Sequence, residues 1–266
     1  MELRHFKSMN QVHETSEYIK ALEAFDGIPQ LQELKSLAIE RTNMAPGKSV
    51  LDVGCGFGLE TLRLAKKVAP AGHVAGVDVS PEFVDEAIRR ARTAELEVDY
   101  KVGDARRLPF ADDTFDCVRA ERILIYLKDF SNALAEMERV LKPGGRMALI
   151  EPDFSTNTIN TDDRLLMRRI VDHETSQAVE QSYLPGPLAA ALEDLGFADI
   201  EIATRVLIFP QDLGASYFNS IGSHANEAGV VSAGELEEWR GAIDLLRKNN
   251  HVFASIGYFL FTASRN

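Results

Sequence analysis

Val50-Leu51-Asp52-Val53-Gly54-Cys55-Gly56-Phe57-Gly58 runs from a short apolar segment into glycines at alternate positions, and helical spacing resumes from Leu59 to Val68. An apolar run with little polar alternation marks a strand buried on both faces, as in parallel sheets. Glycines behind such a strand permit positive φ and let the backbone approach a ligand without Cβ clashes. The helix start that follows offers unpaired N–H groups and a positive dipole end, which suit a carboxylate or phosphate.

The same alternation repeats on the C-terminal side. The pattern predicts strands at Val74–Val79, Glu97–Val102, Phe115–Ala120 and Arg146–Glu151. Helices are expected at Pro81–Thr93, with Ser80 as its cap, and at Asp129–Leu141, ended by the Lys142-Pro143-Gly144-Gly145 turn. Strands alternating with helices imply a parallel, doubly wound α/β sheet. Residues 1–45 predict two helices, broken at Gly27 and Pro29. Beyond Glu151 the rhythm loosens: a helix is expected from Asp163 to Val179 and another from Pro187 to Leu195. Strands are expected at Ile200–Phe209 and Val252–Ser264, on either side of a mainly helical stretch, 211–249.

Composition narrows the partners. The 266 residues are 45% hydrophobic and 26% charged, and 29 Lys and Arg against 41 Asp and Glu give a net charge of −12. A field of that sign disfavours nucleic acid and anionic lipid surfaces, so a small-molecule partner is expected. No apolar run approaches the roughly 18 residues of a membrane span, and no secretory signal is read at the start. Cys55 and Cys117 form no C-x-x-C pair. Neither a disulfide framework nor a metal site is therefore expected, and a cytoplasmic location is.

Spacing defines the ligand further. A dinucleotide fingerprint G-x-G-x-x-G would need a glycine at 59, where Leu59 stands. Asp52, just before the loop, would repel a pyrophosphate and attract an ammonium group. Asp78 ends the second strand, where an acid accepts both ribose hydroxyls; the alternative reading is an acid favouring a helix N-terminus. These residues suggest an amino-acid zwitterion attached to a nucleoside.

At this point the sequence resembles a family. Val50–Gly58 is similar to the first motif of class I S-adenosylmethionine-dependent methyltransferases, and Val77-Asp78 matches the acid after their second strand. Gly103-Asp104-Ala105 with Leu108-Pro109-Phe110 and Asp113–Asp116 resembles their adenine-side loop and fourth strand. Arg139–Gly145 resembles the turn before their fifth strand. The resemblance implies a Rossmann-like sheet of seven strands, the last antiparallel, with a helical lid. It divides the chain into an N-terminal lid (1–45), a cofactor-binding core (46–153), an inserted lid segment (154–186), and a part completing the sheet (187–266) with the 211–249 insertion.

Carried onto this sequence, the resemblance implies S-adenosylmethionine as cofactor. Gly54, Gly56, Gly58 and neighbouring backbone would hold the methionine part, with Asp52 near its ammonium and Cys55 as a small filler. Asp78 would take the ribose, Val79 and Gly103 would flank the adenine, and Asp104 with the Ala105 N–H would bond its edge. Glu121 would line the methionine side, and Tyr18 would cover the mouth. The acceptor is expected to be a small molecule, aromatic or apolar, methylated on O, N or C. The Asn/Asp-Pro-Pro-aromatic tetrapeptide and the Pro-Cys dipeptide of nucleic-acid enzymes are absent. Aromatics in the additions, among them Phe25, Phe154, Tyr217 and Phe218, are read either as pocket lining or as lid packing. His13 and His173 are the expected bases, with Glu151 and Asp153 as further candidates. The chain is expected to be a monomer or homodimer. Two alternatives stay open: a silent S-adenosylmethionine-binding regulator, and a nicotinamide-dependent dehydrogenase, against which Leu59 and Asp52 count.

Overall fold

The computed structural model describes residues 19, 20, 22–177 and 179–266. β1 (Ser49–Val53) is buried over its last four residues because strands flank it on both sides. It pairs in parallel with β2 (His73–Asp78) and with β4 (Phe115–Glu121). β3 (Asp99–Val102) pairs with β2, and β5 (Leu141–Ile159) pairs with β4, again in parallel. With β6 (Phe197–Ile208) and β7 (Ala254–Arg265), the described residues form a seven-stranded sheet in the order β3-β2-β1-β4-β5-β7-β6. β7 runs antiparallel to β5, so the sheet is the mixed, Rossmann-like type the resemblance implied.

The crossover helices fall where the apolar spacing places them. They are α1 (Pro29–Arg41), α2 (Leu59–Val68), α3 (Pro81–Thr93) and α4 (Phe130–Val140). Ser80 caps α3, its side chain accepting from the Phe83 N–H at 3.2 Å, with Pro81 at the first helical position. The later helices are α5 (Arg164–Gln177), α6 (Pro185–Asp194), α7 (Gln211–Glu227) and α8 (Ala233–Lys248). No helix of the described residues is long and apolar enough to cross a membrane.

Two predicted features differ. The Lys142–Gly145 turn is absorbed into β5 as a bulge: Phe115 pairs with Leu141 and Cys117 with Arg146, and Gly144 takes φ 72° between them. The strand also does not end at Glu151. It runs on to Ile159, because Phe154, Asn157 and Ile159 stay buried and the start of β7 supplies partners. The Gly257 N–H donates to Thr156 Oγ1 at 2.7 Å and the Asn160 N–H to the Phe253 carbonyl at 3.1 Å.

The chain forms two compact units. One comprises Leu34–Glu151, Leu184–Ala203 and Phe259–Asn266 and contains β1 to β4. Its core sets Val50, Val74 and Cys117 of the sheet against Leu64 and Val68 of α2. Each large apolar side chain so buried is worth about 1.5–3 kcal/mol. The other comprises the described part of Met1–Glu33, Pro152–Tyr183 and Thr204–Tyr258. Aromatic contacts run through it from Phe25 to Phe209, Tyr217, Phe218 and Trp239, with ring centroids 5.3–6.3 Å apart. The Trp239 indole N–H donates to the Phe218 carbonyl at 3.0 Å. Phe25, Phe154, Tyr217 and Phe218, read in sequence as lining or packing, are therefore packed interior residues.

Candidate functional site

The loop after β1 is built on three left-handed glycines: Gly54, Gly56 and Gly58 have φ of 71°, 53° and 85°. Any other residue would lose about 1–2 kcal/mol at each. Space reinforces the choice at Gly54, where an added Cβ would lie 1.9 Å from Ile123 Cδ1. Above Gly56 no atom of the described residues lies within 4 Å of that position, so among them the backbone is open to a ligand there. Gly58 starts α2 without a side-chain cap, leaving the helix-end N–H groups for other partners.

Asp78 braces this loop. One carboxylate oxygen accepts the Gly56 N–H at 2.8 Å and the other accepts the Ser80 N–H at 2.9 Å. The N–H groups of Gly54 and Cys55 both donate to the Val77 carbonyl, at 2.7 and 3.0 Å. Burial raises the Asp78 carboxyl, with the amides of Ser80, Gly56 and Val79 pulling the other way. Beside it Val79 is 64% exposed, an apolar surface at the sheet's carboxyl edge. The Gly103 N–H donates to the Asp78 carbonyl at 2.9 Å, which brings the next loop alongside. Asp104 there is held by Arg106, whose guanidinium reaches both carboxylate oxygens at 2.6–3.2 Å, and that contact lowers its pKa. Ala105 is half-buried between them.

Beneath the loop lies a cluster of charges that the sequence reading missed apart from Asp52 and Glu121. Register places Asp52 of β1 opposite Arg119 of β4. The Arg119 guanidinium spans Asp52 Oδ1 and Glu121 Oε2, at 2.7 Å each. Lys35 of α1 lies 3.0 Å from Glu121 and 3.1 Å from Glu60 of α2. All five side chains are at most 10% exposed. Three carboxylates thus face two buried cations. Burial raises Asp52 to about 6, with Arg119 opposing it, and Asp52 Oδ2 is buried without a hydrogen-bond partner among the described residues. Glu121 meets the same burial, but Lys35, Arg119 and Arg122 hold it at about 2. The buried Cys55 thiol is pushed far up by burial and then by Asp52 and Asp78, which keeps it protonated.

The structure thus brings together Asp52, Gly54, Cys55, Gly56, Gly58, Asp78, Val79, Gly103 and Glu121 at adjacent strand ends. His173 is half-buried on α5 of the aromatic unit. Tyr18 and His13 lie outside the described residues. In the aromatic unit His224 Nδ1 lies 3.4 Å from Glu174 Oε2, both buried, a pair without any sequence motif. Glu151 is fully buried and raised to about 8 by burial, so at neutral pH it carries a proton.

Sheet order and glycine loop together define the class, and similarity to known proteins agrees. Residues 50–145 match the methyltransferase domain family. That segment is thus similar to the class I S-adenosylmethionine-dependent methyltransferases. It is 37% identical over 202 residues, 76% of this chain and 58% of the other, to an uncharacterized 37.1 kDa protein in a Streptomyces fradiae transposon. It is 35% identical over 153 residues, 55% of this chain and 62% of the other, to a demethylmenaquinone methyltransferase of Halalkalibacterium halodurans. Among solved structures it resembles the cyclase SpnF, with a TM-score of 0.54, 26% identity, and coverage of 88% of this chain and 80% of that one. The chain thus spans about three fifths of the length of the two curated relatives.

Proposed function

We propose that the protein transfers a methyl group from S-adenosylmethionine to an oxygen, nitrogen or carbon atom of a small aromatic or apolar acceptor in the cytoplasm. One observation carries this reading: three left-handed glycines are closed onto Asp78, with the buried Asp52–Arg119–Glu121 ion-pair cluster directly beneath. When bound, S-adenosylmethionine supplies a methyl group already activated on a sulfonium. The protein's part is to hold, orient and exclude water.

The residues fit that group. Open space above Gly56 accommodates a close ligand backbone. The Asp78 carboxylate accepts the amides of Gly56 and Ser80, with the Val79 amide also acting on it, and its remaining lone-pair capacity suits a ribose hydroxyl. Exposed Val79 offers a face for the adenine, with Gly103, Asp104 and Ala105 at its edge. Asp52 Oδ2, buried without a hydrogen-bond partner among the described residues, offers an acceptor for a ligand with an ammonium group. Glu121 belongs to the same ion-pair cluster, shared by Lys35, Arg119 and Arg122. His13 and His173 are the candidates to accept a proton from an O–H or N–H acceptor, and Tyr18 the candidate to cover the ligand.

Calorimetry with S-adenosylhomocysteine, then labelled-methyl transfer across a panel of phenols, alcohols and amines, tests the proposal. Absence of both heat and label would discard it. A second reading keeps the adenosyl pocket and drops the transfer, and the likeness to the cyclase SpnF favours it. Cofactor binding with an acceptor turned over at unchanged mass would select that reading.

A further inference from the structure

Glu151 closes the Leu34–Glu151 segment and is fully buried. Its Oε1 accepts two consecutive backbone N–H groups, from Ile123 at 3.1 Å and Leu124 at 2.9 Å. Those amides open a single 3-10 turn, Leu124–Tyr126, whose own N-cap Ile123 supplies no side-chain cap. The first N–H groups of any such turn lack internal partners. Here a carboxyl 27 and 28 positions along the chain supplies the acceptor.

The residue before the turn is fixed from the same place. Arg122 holds φ 54°, and its N–H donates to the Ile150 carbonyl at 2.9 Å. Two adjacent residues of β5 therefore anchor three consecutive amides after β4. Ile123, so held, lays its side chain against Gly54; Cδ1 and Cγ1 would stand 1.9 and 2.2 Å from a Cβ there. The path from Glu151 to the glycine loop thus has two links: a pair of hydrogen bonds and one packed side chain.

We infer that Glu151 is a positioning residue, which sets the glycine loop through Ile123 and does not itself meet the ligand. For its affinity readout this inference rests on the cofactor reading of that loop. The remaining carboxyl oxygen, Oε2, is buried with no hydrogen-bond partner among the described residues, so both bonds of the cap fall on Oε1. Burial holds the carboxyl up at about 8; the Leu124 and Ile123 amides and the Arg122 cation oppose this, and the Glu121 carboxylate adds to it. The cap is therefore neutral at pH 7. Above about pH 8 it ionises, and the carboxylate still accepts both N–H groups, whose opposition to the upward shift reflects that they favour the charged form.

Wild type, Glu151→Gln and Glu151→Leu are compared by amide-exchange protection of Ile123 and Leu124 and by the dissociation constant for S-adenosylhomocysteine. Gln keeps the accepting oxygen and cannot ionise, whereas Leu removes the acceptor. At pH 7 the Leu variant is expected to lose about tenfold in protection at those two amides and about tenfold in affinity. The Gln variant is expected to stay within about twofold of wild type. Near pH 9 wild type is expected to hold its protection, because the ionised carboxyl still accepts both amides. Wild-type protection at both amides in the Leu variant would overturn the inference, as would a Gln variant that loses protection as Leu does. Should the Leu variant fail to fold, Ile123→Ala, which removes the side chain packed on Gly54, decides through the affinity: about tenfold weaker binding is expected, and an unchanged dissociation constant would overturn the inference. If wild type binds no adenosyl compound, the cofactor reading falls, and amide protection still decides the role of Glu151.

Discussion

The two units bury opposite kinds of side chain. Under the glycine loop, Asp52, Glu60, Glu121, Lys35 and Arg119 are charged and nearly sealed from water. In the other unit the interior is a run of rings ending at Trp239. Rings gain stability from burial itself, whereas buried charges gain it only from one another. An interior of paired charges stands only while its pairing is complete, and an interior of rings is shaped for packing.

The largest expected effect is on the charged side. Arg119→Met strands Asp52 and Glu121 with Lys35 as their remaining buried cation, and denaturant unfolding should show a loss of about 3–5 kcal/mol. Adding Asp52→Asn should restore a substantial part of that loss, since the orphaned charge is then gone. A loss below about 1 kcal/mol, or no recovery, would mean the cluster is not coupled. Phe218→Ala should cost about 3–5 kcal/mol by opening a cavity, and no charge substitution should rescue it. Rescue there would dissolve the distinction between the two interiors.

Asp78→Ala comes next, with a loss of about 1.5–3 kcal/mol in adenosyl-cofactor affinity, the range of a charge-assisted hydrogen bond. An unchanged dissociation constant would restrict this carboxylate to bracing the loop. The smallest effect is on pH dependence, where two acids on one guanidinium act in opposite senses. Glu121, held at about 2, contributes stability above its ordinary value of 4.5, and this is lost as pH falls through 2. Asp52, raised from 3.8 to about 6, contributes stability below 3.8, and this is lost as pH rises through 6. Melting temperature against pH should lose its acid limb in Glu121→Gln and its slope between about pH 4 and 6 in Asp52→Asn. Identical curves in both variants would show that the pair titrates as one group.

Much of the sheet was legible because buried parallel strands leave unbroken apolar runs, as at Val50–Val53 and Val74–Val77. The far half of β5 was not. Asp153, Ser155, Thr156 and Thr158 interrupt its apolar pattern, and its partners arrive about a hundred residues later at the start of β7. In the site, glycines and strand-end acids announce themselves by spacing. Arg119 does not, because a lone cation in an apolar strand has meaning only once register sets it opposite Asp52. Lys35 reads as part of an ordinary polar helix face, and the Glu174–His224 contact joins residues 50 positions apart. Glu151 was legible as an acid at a strand end but not as a cap, since the amides it holds belong to another strand's exit.

The brace from Asp78 to the Gly56 amide has a kinetic corollary. A loop fixed by its own neighbour needs no freezing at the moment of encounter, so association should be governed by diffusion and desolvation rather than by ordering of the chain. The same carboxylate that steadies the loop is the one the proposed ribose would meet already aimed.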